Sequence, residues 1–236
     1  MTTYTRYAIY YTPPTGPLAA FGASWLGWDA LTGTTCTHAN IGTLTHPNIG
    51  TLPVPISEIT KRPRKYGFHA TLKPPFPLAE GVGEDELIQA TAELCQQLSK
   101  VSIDRLKVSR MGRVLALVPT GNLEALNGLA SELVRKLDHF RHPPSEEELA
   151  KRRKPNLSVR HVELLERWGY PYVLDEFRFH MTLSGPLPPK HINAIEAVLS
   201  QAIEPHLPEP FFINEISLVG ERADGMFQLI DSFSLN

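Results

Sequence analysis

Phe68-His69-Ala70-Thr71-Leu72 returns farther along the chain as Phe179-His180-Met181-Thr182-Leu183. A bare H-x-T triplet decides little, because nine His and seventeen Thr in 236 residues yield about 0.65 such triplets by random placement. Matching Phe and Leu flanks in both copies lowers the chance of the pair to on the order of one in 10⁵. Alternation then fixes a structural reading. In an extended chain residues i and i+2 share a face. Each His and Thr therefore point one way, while Phe68, Ala70 and Leu72, or Phe179, Met181 and Leu183, point the other. Each copy is expected to be a strand with an imidazole and a hydroxyl on one face and an apolar anchor on the other.

The surroundings repeat as well. A strand at 66–73, ended by Pro74 and Pro75, is followed by a helix at about 84–99 and strands at about 102–109 and 113–118. A strand at 177–184, ended by prolines from Pro186, is followed by a helix at about 190–203 and strands at about 211–219 and 226–235. His69 to Leu117 spans 48 residues and His180 to Leu229 spans 49, so the unit is a duplicated strand–helix–hairpin. The expected fold class is α+β. Two pseudo-symmetric lobes, each an antiparallel β-sheet with helices on its outer face, enclose a central cleft lined by the His-Thr faces. The expected organisation is one bilobal domain over 1–236, with repeats at about 66–118 and 177–235 and a helical insertion at about 122–170. Within the insertion, Leu123, Leu126, Leu129, Leu133 and Leu137 recur at helical spacing, and Ser145-Glu-Glu-Glu148 is a capping pattern. Before the first repeat, Arg6–Tyr11 reads as a strand, Pro17–Leu26 as a short helix and 29–60 as a long loop.

The bulk composition narrows the function. With 42% apolar and 20% charged residues the chain is of ordinary globular type. A net charge of −2 argues against affinity built on many nucleic-acid phosphates, so nucleic acid is an unlikely partner, whereas a small anion needs only a few local cations. Cys36 and Cys95 read as reduced thiols rather than a disulfide framework. No basic segment leading into an apolar run opens the chain and no stretch approaches a membrane span, so a cytoplasmic protein without a membrane partner is expected.

Two imidazoles suit acid–base work near neutrality, since an unperturbed His titrates around 6.5. Opening a cyclic phosphodiester needs one group to take a proton from water and another to give one to the departing alkoxide. His69 and His180 are the catalytic candidates, with Thr71 and Thr182 holding the phosphate oxygens. Period-2 spacing adds Lys73 and Arg178 as phosphate-binding cations, with Lys65 and Ser184 farther out on the same faces. One His on a strand is most often a satisfied polar residue; two with matched flanks reverse that preference. Metal ligation is disfavoured by the absence of H-x-H or H-E-x-x-H, and Thr is a poor ligand. Neither G-x-x-x-x-G-K-[ST] nor a helix-opening G-x-G-x-x-G occurs. No metal or other cofactor is expected. The basic run Lys151-Arg-Arg-Lys154 reads as a solvated helix end rather than a phosphate contact. The other seven His residues, among them His38, His46 and His161, read as surface or loop residues.

These paired segments resemble the two-histidine (2H) phosphoesterase superfamily, defined by two H-x-[ST] strands. That resemblance implies two similar α+β lobes around a cleft, and metal-free action on cyclic or 2′,5′-linked phosphodiesters. It carries over to His69, Thr71, His180 and Thr182. The segments RYAIYYTPP, FGASWLGWDALTG, YGFHATLKPPFPLAEG and WGYPYVLDEFRFHMTLSGPL are similar to one branch, the proteins encoded with bacterial phosphonate-degradation genes. The resemblance implies a small phosphorylated sugar or nucleotide as substrate, a ribosyl cyclic phosphate first among them. Two alternatives stand beside the cyclic phosphodiesterase: a non-catalytic binding or regulatory protein of phosphonate metabolism, and RNA 2′,3′-cyclic phosphate processing.

Overall fold

A computed structural model describes residues 4–38, 52–153, 155 and 157–236. The elements run β1 (Tyr7–Tyr11), α1 (Pro17–Leu26), β2 (Trp28–Asp29), β3 (Thr34–Thr35), α2 (Ile56–Ile59), β4 (Ala70–Phe76), α3 (Glu84–Cys95), β5 (Val101–Ile103), β6 (Arg105–Met111) and β7 (Val114–Thr120). They continue with α4 (Glu124–Lys136), α5 (Glu146–Arg152), α6 (Val159–Trp168), β8 (Met181–Thr182), α7 (Pro189–Ile203), β9 (Phe211–Ile213), β10 (Glu215–Glu221) and β11 (Phe227–Ser234). Residues 39–51 of the expected long loop, with His46, lie outside the described residues, as does Lys154. The described flanks of that loop hold the β2–β3 ladder and α2. Among the described residues no helix is long and apolar enough to cross a membrane.

The fold is α+β, and among the described residues every ladder is antiparallel. Seven strands form one sheet in the order β11-β10-β1-β4-β8-β7-β6. The two motif strands, β4 and β8, are neighbours at its centre. On either side the repeats exchange hairpins. The β6–β7 hairpin of the first repeat pairs with β8, and the β10–β11 hairpin of the second joins β4 through β1. A two-stranded ladder of β5 with β9, equivalent positions in the two repeats, ties them together a second time.

The strand boundaries differ from the local reading. β4 runs through Pro74 and Pro75 to Phe76 instead of stopping at Pro74. Proline cannot donate to a ladder, but β8 pairs with β4 only at Ala70, so that edge asks for no donors farther along. Register shifts against β1, between Tyr7 and Ile9 and between Ile9 and Tyr10, absorb the irregularity. β8 is only two residues long, although Phe179 and His180 lead into it.

The anchor residues do what the alternation requires. Phe68, Ala70, Leu72, Phe179, Met181 and Leu183 are all buried in the main core with the apolar faces of α3, α4 and α7. At about 25 cal/mol per Å² of apolar surface, each buried Phe, Leu or Met among them is worth about 1.5–3 kcal/mol. Helix α1 braces both motif segments. Its Gly22 lies flat against the Phe68 ring, and the Trp25 indole donates to the Leu183 carbonyl at 2.7 Å. In the insertion, Ser145 accepts from the Glu148 amide and Glu148 from the Ser145 amide, closing the expected capping box of α5.

Candidate active site

Ala70 faces Met181 across the central ladder. Continuing that register sets His69 opposite Thr182 and Thr71 opposite His180, all four on the face away from the core. Directly opposed side chains start about 5 Å apart, and the diagonal pair, His69 and His180, starts roughly 7–8 Å apart. Partial exposure of all four residues, against complete burial of Ala70 and Met181, agrees with this placement.

Both rings are oriented the same way. His69 Nδ1 donates to the Gly67 carbonyl at 2.9 Å, and His180 Nδ1 to the Arg178 carbonyl at 2.7 Å. Each bond leaves Nε2 as the lone-pair nitrogen of the neutral ring. Gly67 holds its carbonyl in place with φ 72° and ψ −178°, a combination open essentially to glycine alone. Beyond that the two rings differ. Tyr10, opposite Thr71 on β1, stacks on His69 with centroids 3.8 Å apart, and the Thr71 hydroxyl donates to His69 Nε2 at 3.1 Å. Burial under Tyr10 lowers the His69 pKa to about 4, the Gly67 bond acting against this and the nearby His180 adding to it. His69 is thus neutral near pH 7, and the expectation of two imidazoles titrating near neutrality does not hold for it.

Three hollows adjoin the quartet, the smallest, of about 300 Å³, lined by His180 and Thr182 with Arg62, Met111 and Ser184. Another, of about 450 Å³, is lined by His69, Thr71 and Thr182 together with Arg6, Tyr10, Tyr66, Lys151 and Arg152. The third, of about 510 Å³, is lined by Thr71 and His180 with Arg178, His161, Glu176 and Phe177. Thr71, Pro74, Tyr170 and Tyr172 border both of the larger hollows. Among the described residues no group of three or more His, Cys, Asp or Glu side chains is placed to hold a metal ion.

Of the two expected cations, one reaches these hollows. Arg178 is exposed on the wall of the third. Asp175 and Glu176, its near carboxylates, engage Arg160 and His161 instead. Lys73 does not join it. Only 2% exposed, it donates from Nζ to the Val134 carbonyl at 3.1 Å and lies 3.6 Å from Asp138. The register shift between Thr71 and Lys73 breaks the two-residue alternation and re-aims this side chain toward the end of α4. Burial lowers its pKa to about 8, with Asp138 opposing. Lys65 lies over the Tyr66 ring and Ser184 is buried in bonds to Leu115 and Gly185. The basic run divides: Lys151 is exposed and paired with Glu147, whereas Arg152 turns inward and donates to the Gly169 carbonyl at 2.7 Å.

Sequence reasoning passed over Arg6, Tyr10, Tyr66 and Tyr170, and took Arg152 for part of a solvated helix end. Alternation in Arg6-Tyr-Ala-Ile-Tyr10 does put Arg6, Ala8 and Tyr10 on one face of a strand. That this face lines a hollow follows only from β1 pairing with β4.

The central antiparallel pair thus presents two H-x-T segments side by side. The chain belongs to the family described as "Protein of unknown function (DUF1045)", whose model matches residues 71–228. Among curated proteins it is similar to "Ribose 1,5-bisphosphate phosphokinase PhnN" of Janthinobacterium sp. (strain Marseille), 37% identical over 94% of this chain and 48% of the relative. The protein of the same name in Laribacter hongkongensis (strain HLHK9) is 30% identical over 77% of this chain and 40% of its own length. The chain thus spans about half the length, or less, of the curated relatives it matches. Among solved structures, Escherichia coli LigT complexed with 3′-AMP aligns over 99% of this chain and 98% of its own, with 13% identity and a TM-score of 0.45.

Proposed function

We propose that the protein is a phosphoesterase that opens a cyclic phosphodiester of a small sugar or nucleotide, without a metal ion, in phosphonate metabolism. The observation that carries this reading is the quartet of His69, Thr71, His180 and Thr182 on one face of adjacent strands. In the proposed reaction water attacks phosphorus on the side away from one ring ester oxygen. A new P–O bond forms, the ring P–O bond breaks, and a phosphomonoester with a free neighbouring hydroxyl results. His69, neutral with Nε2 as its lone-pair nitrogen, takes the proton from water, and His180 gives one to the departing alkoxide. The negative charge of the bound phosphate raises the proton affinity of His69 from its low value in the free protein. Thr71, Thr182 and Arg178 hold the non-bridging oxygens.

The names of the longer relatives favour a ribose phosphate over other sugars. The kinase activity in those names has no support in this chain, which lacks a G-x-x-x-x-G-K-[ST] loop. A ribosyl cyclic phosphate opened here would yield a ribose phosphate of the kind those relatives are named for. The depressed basicity of His69 favours one second reading, a phosphosugar-binding protein without turnover.

Replacing His69 or His180 by Ala separates the two readings. Each change is expected to cost about 10²–10⁴ in kcat on a ribose cyclic phosphate. The double variant should lose little beyond the worse single one, because the rings act as a unit. A well-folded single variant of near-full activity would exclude the acid–base assignment. A wild-type protein that binds the ester and never opens it would leave the binding reading.

A further inference from the structure

We propose that Tyr10, Tyr66 and Phe227 are positioning residues: an aromatic clamp, drawn from β1 and both repeats, that holds the His69 ring in one orientation with Nε2 open to accept a proton. The use of that proton in opening an ester rests on the phosphoesterase reading, whereas the clamp is a property of the free protein.

The sheet face away from the main core carries a small apolar cluster of its own. Tyr10 and Phe227 are buried in it with Ala8 and Val219, and Tyr66 packs against them. His69 lies at its edge. Tyr10 is stacked on the imidazole with centroids 3.8 Å apart and planes 23° from parallel, and Tyr66 lies 6.1 Å away at 44°. Phe227 backs both tyrosines, at 5.9 and 5.2 Å. It is itself pinned: the Trp28 indole donates to its carbonyl at 2.8 Å, and its ladder partner Glu221 holds Arg6. Aromatic pairs of this kind are worth about 0.5–1.5 kcal/mol beyond their buried area. Two restraints of different kinds therefore meet on His69. The Nδ1 bond to the Gly67 carbonyl fixes the tautomer, and the stack fixes the plane of the ring.

His180 has the first restraint without the second. Its Nδ1 donates to the Arg178 carbonyl, but among the described residues no aromatic ring stacks on it, and the β6–β7 side offers it Met111 and Val114. Near the clamp, Arg6 is paired with Glu221, Lys65 lies over the Tyr66 ring at 4.5 Å, and Lys151 and Arg152 line the 450 Å³ hollow. The His69 pKa of about 4 nevertheless comes first from burial, with His180 the charge that adds to it. A ring closed off by flat apolar faces behaves in this way.

The test follows the His69 ring by NMR across pH, its signals assigned with His69→Ala, alongside kcat/KM for ribose 1,2-cyclic phosphate. Tyr10→Leu opens the ring face to water and should raise the His69 pKa by about one unit or more, toward 6.5. Tyr66→Leu should raise it less. Tyr10→Phe keeps the stacked face and should restore the wild-type titration. The acid limb of kcat/KM should move to higher pH with the ring, because it reports the base of the free enzyme, while the limb at higher pH stays. Tyr10 is fully buried, so the half-buried Tyr66 supplies the decisive variant if Tyr10→Leu unfolds. An unmoved pKa in the folded Leu variants overturns the proposal, and so does lost activity with an unshifted pH profile. A raised ring pKa in these variants, in a protein that opens no ester, upholds the clamp, and only the phosphoesterase reading then fails. Ester opening with an unshifted titration leaves that reading intact and removes the clamp.

Discussion

At the scale of single residues, the two motif histidines have the same sequence context but different environments. Both donate Nδ1–H to the carbonyl two residues earlier, yet only His69 lies under a tyrosine ring, and its pKa falls to about 4 because burial penalises the charged form. This has a consequence for stability that needs no substrate. In the unfolded chain His69 titrates near 6.5, above its folded value. Between those values the unfolded chain binds the extra proton, so stability rises with pH. The contribution is complete above pH 6.5 and is lost as pH falls through 4. Its full size is about 3 kcal/mol, because each tenfold change in proton affinity corresponds to about 1.36 kcal/mol. Urea unfolding at intervals from pH 7 to 4 should show this loss in the wild type and a flatter profile in His69→Ala. Equal slopes in the two proteins would mean that the folded ring is not held neutral.

At the scale of elements, α1 is a ten-residue helix whose residues give no hint of the site, and it nonetheless sets the position of both motif segments. A Cβ on Gly22 would stand 2.0–2.7 Å from three atoms of the Phe68 side chain. Ala is the better helix former by about 1 kcal/mol, but forcing a methyl into a packed contact typically costs about 1–3 kcal/mol. Gly22→Ala should therefore lower stability and displace the segment that carries His69. Unfolding midpoints measure the first effect, and the chemical shift of the His69 ring the second. A variant as stable as the wild type, with an unmoved ring, would show that Phe68 has room to yield. This contact also marks where the sequence stops being legible. Local pattern located α1, α3, α4, α7 and the capping box at Ser145, because helical period, proline position and capping are written within a few residues. It placed His69, Thr71, His180 and Thr182 on one face for the same reason. It failed at Lys73, which lies beyond a register shift, and at Pro74 and Pro75, which are tolerated because β8 leaves that edge unpaired. It also missed Tyr10, whose stacking on His69 depends on β1 meeting β4, and it took Arg152, which donates to the Gly169 carbonyl, for part of a solvated helix end.

At the scale of the whole molecule, the exchange of hairpins makes each repeat structurally dependent on the other. Within the sheet order β11-β10-β1-β4-β8-β7-β6, segments from before and after residue 142 alternate. A fragment of residues 1–142 keeps the β1–β4 and β6–β7 pairs but lacks β8, the strand that joins them. Residues 143–236 keep the β10–β11 hairpin but lose β1, so Ile216 and Leu218, fully buried in the intact chain, lose the cover of Ile9 and Tyr11. Each fragment would expose a large part of one continuous core, which a marginally stable domain cannot withstand. Cleavage between the exposed His142 and Pro143 should therefore give two pieces that show no cooperative unfolding alone. Mixed together, they should regain a cooperative transition and native-like circular dichroism, because every lost ladder can re-form between them. If either fragment alone unfolded cooperatively, the duplicated unit would be an independent folding module. The central β4–β8 pairing, on which the His-Thr quartet depends, would then be a docking of two stable parts rather than the seam of a single sheet.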